Sequence, residues 1–574
     1  VTLAQEARPL SGPGARAAAA GVVLLGLLCL AGGWLQDAWA HPSLWPQAWP
    51  AALGLAVAAW LARRQALAAA WGDPAFVLGL GLGLAVALSV GLAWLQCSAV
   101  LDGRRWWWLE DDAMVSMRYG ARLAQGLGLT WTEGPRVEGY SNWLWTLGMA
   151  LVQRLGAPPA SASAWVLAAC VACLAWLGLA TAALARALGA DRMEGALAGC
   201  AVALSFDQMA AALSGMESVA VAAVAAQALA WTAAARARGS VDGRALALAA
   251  CLPLLRADGA LPALLVLALA WTPGLGWRRA AAAAALVLGP GLLQLAWRHG
   301  YYGAWLPNTY VLKSGAWAGK WSASAEKSGL ALLRYPLALA ACGLAWRRPG
   351  LRPWLLALLL LLAYTVWTGA DYFLFLRFFA AGWPLFFALA FAGLGGLGLG
   401  GARRAWAAWA ILLLGCNAGW ALPQLTQLGW AGAKERLQVA LTLRNLVAPQ
   451  EKVAAAWAGT FYYYSGVQGV DLLGKCDAVV AAGPPSLDLE GPGHNKMNLA
   501  WSLGVLKPRW VLMETPPYSE ADQAYVLGQY DLRMLEDPLF RGHCLKGARQ
   551  LTDHWALCDC DWARTDGKPK KGKT

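Results

Sequence analysis

The sequence predicts a mainly α-helical, polytopic membrane protein with a C-terminal α/β part outside the membrane. Of its 574 residues 59% are hydrophobic and only 14% charged, too apolar for an ordinary soluble domain. The apolar residues fall in successive runs of about 17–25, each able to cross a bilayer core of about 30 Å. Basic clusters punctuate these runs, at Arg8/Arg16, Arg63/Arg64, Arg186/Arg192, Arg236/Arg238/Arg244, Arg278/Arg279, Arg347/Arg348/Arg352 and Arg403/Arg404. With positive loops on the cytoplasmic side, the runs between clusters pair as hairpins.

The elements follow in order. Runs near 19–35 and 47–62 make an N-terminal anchor hairpin, residues 1–75; the first lacks a small-residue cleavage site and reads as an anchor. A transmembrane module, residues 76–422, leaves the cytoplasm at 76–96 and returns at 164–185, which puts a long polar loop (97–163) outside. The pairs 195–212 with 217–235, 245–256 with 258–272, 280–297 with 329–346, and 353–369 with 378–400 continue it, and a last span lies near 405–422. The count is about thirteen spans, N-terminus cytoplasmic and C-terminus outside. The run 143–152 is too short to cross, and 245–272 is short for two crossings, with Arg256 and Asp258 inside it.

Residues 423–564 alternate short β-like runs with Gly/Pro turns ("EKVAAAWAGTFYYYSG", "GVDLLG", "PRWVLME") and read as a small extracytoplasmic α/β domain. The tail, 565–574, is Lys-rich and reads as disordered. The net charge of +13 is explained by the loops and this tail, which contact anionic lipid, and calls for no nucleic acid. Eight of the twelve cysteines lie in or beside apolar runs; Cys476, Cys544, Cys558 and Cys560 lie in the C-terminal part and permit two disulfides there. His554 with Cys558 and Cys560 lacks the spacing of common zinc sites.

All the conspicuous polar segments fall on one side of this topology, and charges at a membrane face point to a cleft. The foremost is "LEDDAMVSMRYGARLAQGLGLTWTEGPRVEGYSN", residues 109–142. Asp111 or Asp112 suits a helix N-cap, Gly126 and Gly128 a helix end, and Met114, Met117, Ala121 and Ala124 share the face of a helix lying on the membrane. A cap needs one carboxylate. A second beside it adds like-charge repulsion unless a cation, a metal or a proton-accepting duty uses it.

This loop resembles the first extracytoplasmic loop of bacterial GT-C glycosyltransferases, the polyprenyl-phosphate-sugar-dependent group that includes the mycobacterial terminal β-(1→2)-arabinofuranosyltransferase. Asp111, Asp112, Arg118, Gly134, Val137, Glu138, Gly139 and Asn142 carry the likeness. "SGMES" with Glu217, "RADG" with Arg256 and Asp258, and "YYGAWLPNTYVLK" with Pro307, Asn308, Tyr310 and Lys313 follow. Next come "GAD" with Asp371, then Arg377, "VDLLG", and "GHNK" with His494 and Lys496. The ordered set spans roughly residues 100 to 510, and it is the order, more than any one motif, that is specific. The sequence departs from the pattern at RADG, at Lys475 (where Leu is usual) and in its two extra N-terminal spans.

The resemblance implies an inverting transferase that takes its sugar, arabinofuranose in the nearest likeness, from a polyprenyl-phosphate donor to an extracytoplasmic glycan, lipid or protein acceptor. Elementary chemistry agrees. A donor phosphate at the interface needs cations, and Lys313, Arg377 and Arg256 lie in suitable loops. A sugar hydroxyl needs a base, and Asp111 is the favoured one, with Asp112 orienting it or holding a divalent metal. The resemblance makes Arg118, Glu138, Asn142, Glu217, Asn308, Tyr310, Asp371, His494 and Lys496 substrate contacts. Simpler duties compete: a helix start for Glu217, snorkelling for Lys313, an ion pair between Asp371 and Arg377, a turn at His494. A lipid or polysaccharide transporter is the alternative class, but would place ionisable residues at mid-span in two repeated halves, and no repeat is present. An O-antigen-ligase-like enzyme would favour a large loop rich in Arg and His.

Overall fold

Asp73 and Pro74 start the first helix of the computed structural model, which describes residues 73–271, 276–314, 320–369, 373, 375–397, 431–486, 493–515, 530 and 533–563. The expected N-terminal hairpin, the span near 405–422, Asp371 and the Lys-rich tail lie outside the described residues. The Asp73 carboxylate accepts from the Ala75 amide at 2.9 Å, and α1 runs Pro74–Gln96. A hairpin absent from the sequence reading follows, β1 (Ser98–Leu101) and β2 (Arg104–Trp107), joined by Asp102 and Gly103 at φ 52° and 71°. An Asp-Gly pair with both φ positive is the two-residue turn that antiparallel strands favour.

Helix α2 (Asp111–Ala124) is capped by neither aspartate: Glu110 accepts from the Asp112 amide at 2.7 Å. Gly126 and Gly128, both at positive φ, follow its end. It does not lie on the membrane, because Ala113 to Gly120 are all buried, between α3 (Trp143–Arg154) and the C-terminal part. The twelve residues of α3 are too few to span, as expected.

The helical body continues with α4 (Pro159–Ala187), α5 (Arg192–Ala203), α6 (Phe206–Ser214) and α7 (Ser218–Ala237). Glycines let α4 and α5 touch: a Cβ on Gly199 would stand 2.5 Å from the Gly178 carbonyl oxygen. The expected span 195–212 bends by 49° between α5 and α6. Residues 245–272 form no long helix but three short ones, α8 (Gly243–Ala249), α9 (Leu252–Leu255) and α10 (Ala260–Ala270). Pro253 and the buried Arg256 sit at the break, where the chain leaves helical geometry at φ −158°.

Helices α11 (Trp277–Tyr302), α12 (Asn308–Lys313), α13 (Lys320–Leu333), α14 (Pro336–Leu344), α15 (Arg352–Thr368) and the wholly buried α16 (Gly382–Gly393) complete the body. Pro336 ends α13 and starts α14 across a 94° bend, as its missing amide and its effect on the preceding residue require. Among the described residues, which hold ten of the thirteen expected spans, five helices are long and apolar enough to cross a membrane, or seven if each bent pair is one span.

After α17 (Ala431–Leu446) comes a five-stranded sheet of order β4-β3-β5-β7-β6. Strands β3 (Lys452–Ala455), β4 (Gln468–Asp471) and β5 (Trp510–Glu514) are parallel, whereas β7 (Trp555–Asp559) runs antiparallel to β5 and to β6 (Ala548–Gln550). Helix α18 (Thr460–Ser465) crosses from β3 to β4, and α19 (Ala478–Ala482) follows β4. Alternation along the strands divides the sheet: Val453, Ala455, Leu512 and Leu557 join the core of the helical body, while Ala454, Val511, Met513 and Cys558 form a second core behind it. One disulfide joins Cys544 to Cys560 instead of two; Cys476 and Cys558 are buried thiols.

Candidate active site

Neighbouring positions on a helix point about 100° apart, and this separates the two aspartates. Asp111 is 2% exposed and faces the C-terminal part, where its Oδ2 accepts from the Gly459 amide at 3.1 Å and its Oδ1 from Thr460 at 2.8 Å. Both its oxygens are used in holding α2 to the start of α18. The Asp112 side chain is 22% exposed and faces a cavity of about 650 Å³. Of the two, Asp112 faces the cavity, whereas Asp111, the expected base, holds α2 to the start of α18.

The cavity has two unlike walls. One is charged, lined by Asp112, Ser116, Asn142, Glu217, Arg256, Asp258, Arg298, Lys313, Arg377 and Lys475. The other is apolar, from Pro253, Ala260 and Ala263 to Val287, Leu288, Leu292 and Leu295 of α11. Leu288 and Leu292 are also exposed, so the apolar wall continues onto the outer face of α11.

Cations converge on Asp112. Arg377 Nη1 donates to its Oδ2 at 3.0 Å, and Lys475 Nζ donates to its Oδ1. Burial alone would raise the Asp112 carboxyl, yet Lys475, Arg377 and Lys313 together hold it well below the usual carboxylate range. Burial likewise opposes the charge on Lys475, but the carboxylate beside it keeps the ammonium protonated by raising its pKa. Behind the cap, burial and the charges of Asp112 and Asp111 push Glu110 up to about 8. Arg377 follows Leu376, a buried non-glycine at φ 42°. Backbone held in that sparsely populated region is strain the surrounding packing sustains, and it fixes where the arginine starts.

Arg256 is committed elsewhere than to a phosphate. Its Nε and Nη2 bind Asp258 at 2.6 and 2.5 Å, and its Nη1 binds the Arg377 carbonyl at 2.8 Å. Glu217, 3.8 Å from Arg256, accepts from Asn142 Nδ2 at 2.7 Å, and Asn142 Oδ1 accepts from Ser116 and Thr146. This network steadies the charged wall.

Of the remaining expected contacts, Tyr310 lines the cavity but five side chains do not. Arg118 is a buried strut donating to the Trp131 and Val467 carbonyls, each at 3.0 Å. Glu138 pairs with Arg298 at 2.6 Å, which leaves Arg298, a residue not foreseen, at the cavity. Lys496 donates to the Ala481 carbonyl at 2.6 Å, and Asn308 to the Gly474 and Lys475 carbonyls at 2.8 and 2.9 Å. His494 sits in a turn with its Nδ1 3.1 Å from the Tyr530 hydroxyl; burial and Lys475 press it down to about 3, so it is neutral at neutral pH. Sequence reasoning noticed Lys475 only as a departure from a pattern. No local signal could link it to a partner 363 residues away.

A divalent metal at Asp112 does not fit the described residues. Both its oxygens face cations, and no three His, Cys, Asp or Glu side chains among the described residues gather as a metal site. A hard cation takes about six oxygens.

No family model matches the chain, and no curated protein matches it by sequence. Among solved structures it is similar to the archaeal oligosaccharyltransferase AglB from Archaeoglobus fulgidus in complex with an inhibitory peptide and a dolichol-phosphate. Identity is 13%, with 82% of this chain and 72% of that one covered, at a TM-score of 0.51. A second structure, the Archaeoglobus fulgidus oligosaccharyltransferase tethered with an acceptor peptide, matches at 13% identity over 76% of this chain and 68% of that one, at a TM-score of 0.48. At such identity the likeness to AglB is one of fold alone.

Proposed function

We propose that the chain is an inverting glycosyltransferase that moves a sugar from a polyprenyl-phosphate donor to a glycan, lipid or protein acceptor outside a bacterial inner membrane. The observation that carries this is the cavity itself: Lys313, Arg377 and Lys475 gather about Asp112 in one part of its lining, and an apolar part runs onto the outside of α11. A phosphate attached to a long hydrocarbon is the ligand with both halves of that chemistry. The fold adds analogy only, although the similar AglB structure does hold a dolichol-phosphate. The resemblance in the polar loop makes arabinofuranose the first sugar to test.

In the reaction the acceptor hydroxyl gives its proton to Asp112, and its oxygen bonds to the anomeric carbon from the face opposite the phosphate. The bond from that carbon to the phosphate oxygen breaks, and its electron pair leaves on the phosphate. The leaving group's charge grows from about −1 to −2 in this step, so Arg377 and Lys313 act where charge develops. Arg256 acts through Arg377, by binding its carbonyl, and Glu217, Asn142 and Tyr310 are left to contact sugars.

The test is transfer from a panel of polyprenyl-phosphate sugars by the purified full chain. Asp112→Asn should lower turnover by about 10²–10⁴, the usual worth of a general base, in protein that still binds donor. Asp111→Asn, which keeps one side-chain acceptor for the two amides at α18, should lower the unfolding temperature more than it lowers turnover. Wild-type turnover in Asp112→Asn would move the base to another residue.

A further inference from the structure

Lys475 is presented to the cavity by a loop built for that purpose. Between β4 and α19 the chain turns sharply, and Asp471 gathers the turn's amides: its Oδ1 accepts from Leu473 and Gly474 at 3.0 and 3.2 Å, and its Oδ2 from Cys476 at 2.6 Å. Gly474 takes φ 84°, and a Cβ there would stand 2.8 Å from the Ala481 nitrogen. From the other side Asn308 holds the Gly474 and Lys475 carbonyls. Five hydrogen bonds thus fix the backbone on both sides of one lysine, whose flexible side chain alone is left to move.

That side chain rests in a place that conflicts with catalysis. A carboxylate paired with two cations is a poor base for an acceptor hydroxyl, and Arg377 holds Asp112 Oδ2 while Lys475 holds Oδ1. Lys313, Arg377 and Lys475 gather about Asp112, whereas the other lining acids, Glu217 and Asp258, stand beside Arg256, so this part of the cavity carries an excess of positive charge for an anion.

Resting on the transferase reading above, we propose that Lys475 is a donor-phosphate cation that lies on Asp112 in the empty site and moves to the phosphate when donor binds, so that the event that fixes the donor also uncovers the base. A negatively charged phosphate competes with Asp112 for the ammonium, and with the loop backbone held on both sides it is the lysine side chain that moves. Binding is then ordered: donor first, acceptor second. An acceptor arriving early meets a base already covered.

The experiment measures binding of a polyprenyl phosphate, and of the matching polyprenol, to the full chain in nanodiscs, for the wild type, Lys475→Met, Lys475→Arg, Asp112→Asn and the Asp112→Asn/Lys475→Met double variant. Lys475→Met should weaken the phosphate by tenfold or more and leave the polyprenol unchanged, while Lys475→Arg stays within a few fold of wild type and controls for folding. The sharper expectation is that Asp112→Asn binds the phosphate several-fold more tightly than wild type, because the lysine no longer has a carboxylate to leave, and that the double variant loses this gain. A lysine serving only as a structural partner of Asp112 would give no gain, or one that survives in the double variant, and either result overturns the proposal. A wild type that prefers the polyprenol, or does not distinguish the two, instead overturns the transferase reading on which it rests.

Discussion

Two adjacent aspartates with opposite duties show how far a residue's role is set by direction. Asp111 and Asp112 share a sequence context, yet one side chain closes on backbone amides and the other on two cations. The sequence made the pair conspicuous, but their order of importance depended on the entry angle of α2, which Glu110 sets from one residue upstream. Glu110 also yields a pH prediction. Burial and the two aspartates raise its folded value to about 8, above the ordinary 4.5. Between these values the folded chain holds a proton that the unfolded chain has lost, so stability falls as pH rises through that window. Glu110→Gln keeps a carbonyl to cap the helix and removes the titration. Its unfolding temperature should therefore vary less between pH 5 and 8 than that of the wild type, with the largest gain at the alkaline end. Parallel curves for the two proteins would mean that Glu110 ionises normally.

Elements were legible in proportion to how local their causes are. The long apolar runs at 76–96, 164–185, 217–235, 280–297 and 353–369 each correspond to a described helix, because composition and length alone decide them. The hairpin at 98–107 has an Asp-Gly turn, but its strands of four residues each are too short for an alternating pattern to mark them. Residues 245–272 shorten for a tertiary reason, the buried Arg256 and its bonds to Asp258 and the Arg377 carbonyl. The junction of α2 with α18 has a cause of the same kind. Gly459 is glycine because a Cβ would stand 2.2 Å from the Asp111 carbonyl oxygen and 2.8 Å from its carboxylate. Gly459→Ala should force the two elements apart at a cost of about 1–3 kcal/mol, typical of overpacking. The readout is a lower unfolding temperature together with reduced transfer, since Asp112 rides on α2. An alanine variant as stable as wild type would show that the junction yields without strain.

At the scale of the molecule, three spans share one polarity. On α11 Arg278 and Arg279 lie at the start, and Gln294, Leu295 and Arg298 line the cavity near the end. On α15 the basic residues Arg347, Arg348 and Arg352 stand at or before the start, and Tyr364, Trp367 and Thr368 line the cavity at the end. On α7, which runs the other way, Glu217 meets the cavity at the start and Arg236 falls in the last turn. Arg279 and Arg298 are 19 residues apart on one helix, a rise of about 28 Å at about 1.5 Å per residue, close to the thickness of a bilayer core. On all three spans the cavity-lining residues thus lie at the end opposite the basic ones, and the tendency of positive loops to stay in the cytoplasm makes that end the expected extracytoplasmic one. The disulfide joining Cys544 to Cys560 points the same way, since such bonds persist in oxidising compartments. Reporter fusions within residues 100–140 and after residue 430 should therefore read extracytoplasmic, and fusions near Arg278 and Arg347 cytoplasmic. In membranes sealed right side out, an impermeant thiol reagent should reach a cysteine placed at the exposed Glu133 directly, and one placed at the exposed Arg278 only after permeabilisation. Cytoplasmic signals from the 100–140 fusions would put Asp112 on the side of the basic loops, and a donor presented at the outer surface could not then reach it.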